Sequence, residues 1–316
     1  PGGNLSDISG VLWITVAGLL FGSQFIASKY AAGFKPGAYN ISMALGIFLG
    51  SVLSLLLLGF SGITPLLSAM AFIGGIVWVV GNYLLVQAVS KAGMARSFIV
   101  INFTAVFSFV GGVAFLGELP EATPQRLAMI AWAVCLVLTG AFLVTGTRPR
   151  EGATGDGLRR GEAVTKGLIA AFAATIFFSV YNVIIAFIVN KAGASAGPTF
   201  ISIAPGALLG AVLVAFLARQ NDLRQWTTAP VKWHLLALSQ GLVWATAMVC
   251  IMFGWMGTGI AMGTPIQVGT QTLVSSLWGI VMFGEFRGLD NRGRAYSRFI
   301  AGAALTVLGI AVMALM

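Results

Sequence analysis

The sequence predicts an all-α membrane protein: ten transmembrane helices in two inverted five-helix repeats. Three observations carry this expectation. Of 316 residues, 58% are hydrophobic and only 9% are charged, too few to keep a soluble chain of this size dissolved. Apolar stretches of about 20 residues, the length that spans a bilayer as a helix, recur along the whole chain. Two of these stretches also resemble each other at an offset of 166 residues. Gly75-Ile76-Val77-Trp78 answers Gly241-Leu242-Val243-Trp244, Gly93 answers Gly259, and Ala95 answers Ala261. Further on, Leu116-Gly117-Glu118 answers Phe283-Gly284-Glu285, one residue out of step. Self-similarity on this scale marks a duplicated unit.

The spans read in order as 11–32, 37–59, 66–89, 94–117, 124–146, 166–190, 198–218, 232–256, 260–284 and 297–316. Runs such as Val52-Leu53-Ser54-Leu55-Leu56-Leu57-Leu58 are apolar on every face, whereas barrel strands alternate polar and apolar. The chain's 41 glycines let helices approach closely in lipid. Pro205 and Pro265 fall inside spans seven and nine and are expected to bend them. The polar stretch 147–165 divides the chain into a first repeat, 1–146, and a second, 166–316. Five spans per half is an odd number, so the second half enters the membrane in the opposite sense to the first.

Charge sets the expected orientation. Alternating the loops between two sides places sixteen Lys and Arg residues on one and only Arg126 and Lys191 on the other. The rich side is cytoplasmic, the 147–165 linker lies there, and both termini are non-cytoplasmic. A miscount by one span would destroy this separation. The plasma (inner) membrane is the first expectation and an organelle membrane the second. The net charge of +9 sits in short loops, which speaks for lipid headgroups and against a nucleic-acid partner. Segment 219–233, with Trp226, Trp233, Arg219, Arg224 and Lys232, reads as a cytoplasmic connection on the membrane surface. His234 beside it reads as an interfacial anchor, and Cys135 and Cys250 as small core hydrophobes. Trp132 and Trp255 read as belt or packing residues.

No metal-ligand spacing, phosphate-cradling loop or nucleophile–base set is present, so the sequence encodes no enzyme, metal site or cofactor site. Its chemistry lies in polar side chains within apolar spans, which are costly unless they face a cavity or a partner helix. They are Ser23 and Gln24; Trp78, Asn82, Tyr83 and Gln87; Asn102 and Thr104; Ser179, Tyr181 and Asn182; Gln240, Trp244 and Thr246; and Gln267, Thr270, Gln271 and Thr272. Amides donate and accept, as sugar hydroxyls require, and indole or phenol faces stack on a sugar ring. Gln267 and Gln271, four apart, share a helix face. The expected binding set is Gln24, Trp78, Asn82, Asn102, Tyr181, Trp244, Gln267 and Gln271. For any one of these, the competing role is a hydrogen bond that ties two helices together.

None of the nine acids falls mid-span. Glu118 and Glu285, near the ends of repeat-related helices, read as gating or helix-end groups. A carrier without a buried carboxylate is expected to be facilitative, or driven by an ion that neutral oxygens bind.

Leu19-Leu20-Phe21-Gly22-Ser23-Gln24-Phe25, Gly81-Asn82-Tyr83-Leu84-Leu85-Val86-Gln87-Ala88 and Pro265-Ile266-Gln267-Val268-Gly269-Thr270-Gln271-Thr272-Leu273 carry a family resemblance. With the Gly-Glu ending the fourth and ninth helices, the chain resembles the drug/metabolite transporter superfamily (EamA-like). Within it, the three motifs are similar to the glucose/ribose uptake and rhamnose transporter branch. The resemblance implies a secondary transporter of a small polar, uncharged metabolite, a sugar or polyol first, working by alternating access between the two halves. Two alternatives stand beside it: a carrier of amino acids or nucleosides, and a non-transporting membrane subunit on a transporter scaffold. Either a homodimer or a larger membrane complex is compatible with the sequence.

Overall fold

The computed structural model describes residues 5–31, 33–59, 62–92, 94–119, 123–145, 157–218, 220–282 and 292–315. The described residues are helical throughout, with short connections and no strand. In chain order the helices are α1 (Leu5–Ser23), α2 (Phe25–Tyr30), α3 (Pro36–Leu58), α4 (Pro65–Ala92), α5 (Met94–Ile101), α6 (Thr104–Phe115), α7 (Pro124–Thr145), α8 (Gly157–Ala186), α9 (Ala196–Ala218), α10 (Gln220–Thr228), α11 (Val231–Val281) and α12 (Arg292–Ala314). A π-helical turn, Phe187–Lys191, continues α8. Eight of these segments are long and apolar enough to cross a membrane, so the chain is a multi-pass membrane protein.

The expected spans correspond to helices, with informative exceptions. Spans eight and nine lie within α11, a single run of 51 residues interrupted at Gly259, where φ is 72° and ψ 171°. Only glycine adopts this conformation without strain. The break falls there and not at Pro265, which stays inside the helix, as Pro205 does in α9. Span four is two short helices, α5 and α6, divided at Asn102–Phe103. Span one divides at Gln24 into α1 and α2. Of the expected linker, 147–156 lies outside the described residues, while 157–165 forms the first turns of α8.

Starts and stops reflect local chemistry. Prolines open α3, α4 and α7, where a missing N–H costs nothing. Gly59, with φ 93°, ends α3.

Close backbone approach decides how the helices pack. A Cβ on Gly75 in α4 would collide with the backbone of Ile203 and Ala207 in α9, and one on Gly206 with the carbonyl of Phe72. Gly241 in α11 meets the backbone of Met43 and Ile47 in α3, and Gly46 that of Leu238. Gly140 and Gly309 bring α7 and α12 together in the same way. Lipid tails provide no hydrophobic drive between helices, so such contacts hold the bundle by dispersion.

At one end of the bundle α10 clasps the α2–α3 elbow. Asp222 accepts the Gly37 N–H at 3.1 Å, and Gln225 accepts from the Lys35 N–H at 2.6 Å and donates to the Gly33 carbonyl at 2.9 Å. Trp226 Nε1 donates to Ser42 Oγ at 2.9 Å. The Ser42 hydroxyl also lies 2.8 Å from His234 Nδ1. His234 is edge-on to both Phe34 and Trp226, and Trp233 packs on Phe34. The expected surface connection is therefore an amphipathic helix, and His234 ties α11 to α3 inside a polar-aromatic cluster.

Candidate functional site: a central aromatic and amide cavity

A cavity with about 760 Å³ of empty space, part of it open to solvent, lies between helices drawn from both ends of the sequence. Seven of the eight residues expected to form a site line it together: Gln24, Trp78, Asn82, Tyr181, Trp244, Gln267 and Gln271. Trp78 from α4 and Trp244 from α11, both in its lining, are in ring contact, centroids 4.4 Å apart and planes tilted by 47°. Phe21 and Phe200 pack around Trp244 at 6.3 and 6.1 Å.

The amides are only partly satisfied by one another. Gln267 Nε2 donates to Gln271 Oε1 at 2.5 Å, which leaves an acceptor on Gln267 and a donor on Gln271 for the cavity. Asn82 Nδ2 donates to Asn40 Oδ1 at 2.7 Å, fixing the Asn82 side chain from α3. Gln24 Oε1 is buried without a partner, as is Thr104 Oγ1, both from residues lining the cavity. Unsatisfied buried polar atoms are expensive, and a concentration of them in one hollow marks where a polar ligand fits. No lining side chain carries a charge.

Asn102 is the exception among the expected residues. It sits at the α5–α6 break, accepts from Thr272 Oγ1 at 3.3 Å and lines a separate crevice with Phe103, Leu138, Thr139 and Phe142. It ties helices instead of facing the cavity. Ser23 accepts from Trp278 Nε1 at 2.9 Å and so ties α1 to α11, whereas Gln87 donates to Tyr83 at 3.0 Å within α4 and Ser179 bonds back to the Thr175 carbonyl within α8. Conversely, Gln240 and Asn182 line the cavity beyond the expected set. Gln240 accepts from the Tyr39 hydroxyl, and Asn182 donates to Ser108 at 3.2 Å. Trp255 is 1% exposed and walls the cavity, whereas Trp132, 55% exposed, faces outward.

Glu118 has a definite task. After the Gly259 break, α11 restarts with free backbone donors. The Glu118 carboxylate accepts from Ile260 N–H at 3.0 Å and from Ala261 N–H at 2.8 Å. An anion at a helix start is favoured by both hydrogen bonding and the helix dipole. Glycines at 112 and 259 make room for it: a Cβ at either position would meet the carboxylate at 2.6 Å. Glu285 lies outside the described residues, as do the side chains of Lys29 and Arg96. Among the described residues no cluster of His, Cys, Asp or Glu could hold a metal ion, and both cysteines are free.

Comparison with known proteins agrees with the resemblance seen in the sequence. A family model described as "Sugar transport protein" matches residues 6–147. The chain is 22% identical over 278 residues to a protein named probable glucose uptake protein GlcU of Priestia megaterium, covering 87% of this chain and 89% of that one. It is 34% identical over 70 residues to a putative sugar uptake protein of Streptococcus pyogenes serotype M1, 22% of this chain and 24% of that one. It is 30% identical over 112 residues to a putative sugar uptake protein of Streptococcus agalactiae serotype V, 35% of this chain and 37% of that one. The chain thus aligns with nearly the whole of the first relative and with about a quarter to a third of the streptococcal ones. A crystal structure of a protein 17% identical in sequence superposes with a TM-score of 0.71, covering 95% of this chain and 98% of that one, and so shares the fold. The resemblance to the glucose uptake branch of the drug/metabolite transporters is borne out.

Proposed function

We propose that this chain is a secondary transporter of a neutral sugar or polyol, binding it in the central cavity and exposing it to each side of the membrane in turn. The observation that carries the proposal is the lining itself. Two indoles in contact and several amides suit a polyhydroxylated ring, and the absence of charge suits neither a carboxylate nor an ammonium ligand. The names of the relatives point to the same substrate class.

The architecture that supports alternating access is ten spans in two inverted repeats, 1–146 and 166–316, joined through 147–165. Its support is reciprocal packing. Gly75 and Gly241, related by the 166-residue offset, make the two α4–α9 and α11–α3 crossings, where Phe72 and Leu238 are again 166 apart. Trp78 and Trp244, related by the same offset, touch each other, as residues beside a two-fold axis would. The charge bias orients the Lys- and Arg-rich end toward the cytoplasm. Toward that end the cavity extends past Leu85, Phe98 and Ile101, while Trp255 and the Glu118 contact lie at the other. The conformation therefore reads as closed to the outside.

The test is uptake of labelled D-glucose, D-ribose and L-rhamnose into proteoliposomes containing the purified chain. Saturable uptake of at least one, reduced at least tenfold by Trp78→Ala and by Gln267→Ala in folded protein, is expected. Uptake no greater than in empty liposomes for every sugar, or uptake indifferent to both variants, would refute the proposal.

A further inference from the structure

A second, more open hollow shares the Trp255 wall of the first; its lining includes Leu116, Glu118, Asn190, Lys191, Trp255 and Gly259, and its empty space of about 610 Å³ is partly open to solvent. Three chain features converge to build it: the end of α6, the π turn after α8, and the break in α11. A π turn holds one more residue than an α turn and so rotates the residues after it, a distortion frequent at functional sites. Asn190 is on that turn.

Two polar atoms of this lining are buried and have no partner: Asn190 Oδ1, an acceptor, and Trp255 Nε1, a donor. The charged groups each have a partner within the protein. Glu118 accepts two backbone N–H groups, and Lys191 Nζ donates to the Leu116 carbonyl at 3.2 Å. One neutral acceptor and one neutral donor remain unsatisfied. A hydroxyl group, which both donates and accepts, answers each. Trp255 lines both cavities and is 1% exposed, so the indole forms a partition between them.

We propose that this outer cleft is a second binding site for a neutral polyhydroxylated ligand, a staging position separated from the central cavity by the Trp255 indole. It rests on the sugar-carrier function and adds a second site to it. A ligand held there reaches the central cavity only when Trp255 moves. The Asn190 acceptor belongs to the outer site alone, and Trp78 to the central one alone.

Equilibrium dialysis of the purified full chain against labelled D-glucose, D-ribose and D-mannitol tests this. Two equivalents per chain are expected for the best of the three probes. Asn190→Leu should weaken one equivalent at least tenfold and leave the other within twofold. Trp78→Ala should abolish the second and spare the first. Asn190→Asp, which keeps an acceptor in place, should retain the outer equivalent. An independent measurement uses Asn190→Cys in a chain also carrying Cys135→Ser, Cys250→Ser and Trp78→Ala: the bound probe should slow alkylation of the new thiol. A single equivalent lost in Trp78→Ala and indifferent to Asn190→Leu, without protection of the thiol, overturns the second site and leaves the carrier function intact. No binding of any probe at either site overturns both.

Discussion

Replacing Glu118 by Gln should open the outer end of the protein. The carboxylate accepts from the Ile260 and Ala261 N–H groups at 3.0 and 2.8 Å, so both oxygens are engaged where α11 restarts. Gln keeps one acceptor and turns an NH₂ group toward the other donor. The loss is one charge-assisted hydrogen bond, about 1.5–3 kcal/mol, together with an anion–dipole interaction of about 0.3–1 kcal/mol. About 2–4 kcal/mol is therefore removed from the conformation that holds α6 against α11. At about 1.4 kcal/mol per factor of ten, the balance shifts about 30- to 700-fold toward an outwardly open form. The assay is alkylation of Ile251→Cys, a cavity position inside Trp255, by a membrane-impermeant maleimide in right-side-out vesicles, with Cys135 and Cys250 replaced by Ser. The labelling rate should rise within that range, and the melting temperature of the purified variant should fall. Glu118→Asp, which keeps the charge on a shorter stem, should fall between the two. An unchanged labelling rate and unchanged melting temperature in Glu118→Gln would refute the idea that this carboxylate holds the outer end closed.

Gly75→Val and Gly241→Val each force a side chain into a facing backbone, so each should destabilise the fold to a similar extent, by about 3 kcal/mol, read as a lower melting temperature. Sugar uptake into proteoliposomes should proceed equally with and without an imposed pH gradient, because the cavity lining holds no ionisable carboxylate or histidine; gradient-dependent accumulation lost in Glu118→Gln would contradict this. A cysteine introduced in segment 147–165 should be labelled only after intact cells are permeabilised, as the positive-inside bias requires.

Composition and offset made much of this legible in the sequence. Gly75 and Gly241, and Trp78 and Trp244, stand out in the sequence as pairs 166 residues apart; in the structure each glycine meets the backbone of a facing helix, and the two indoles touch each other. The cavity was readable because intramembrane amides are rare and cluster for a reason. The sequence left open which face each amide turns. Asn102 and Gln240 are both neutral amides mid-chain in apolar runs, yet the break at Asn102–Phe103 turns the first toward Thr272, while a regular helix carries the second to the cavity. Asn-Phe-Thr carries no breaker residue, so that break has no sequence signature. Gly257-Thr258-Gly259 did carry one, and it marks the break in α11 that Pro265 does not. Trp255 could not be told from a lipid-facing tryptophan such as Trp132, because an indole serves both roles and only burial separates them.

The contact between Trp78 and Trp244 has an optical consequence. Two indoles in van der Waals contact share their excited states, and the near-ultraviolet circular dichroism of such a pair depends on the tilt between the rings. A ring-shaped guest that stacks on either indole, or any rocking of one half of the chain against the other, must alter that tilt. The protein therefore carries its own spectroscopic gauge, with one arm on α4 and the other on α11. No dye, cysteine or label is needed to read it, and Trp78→Phe supplies the blank.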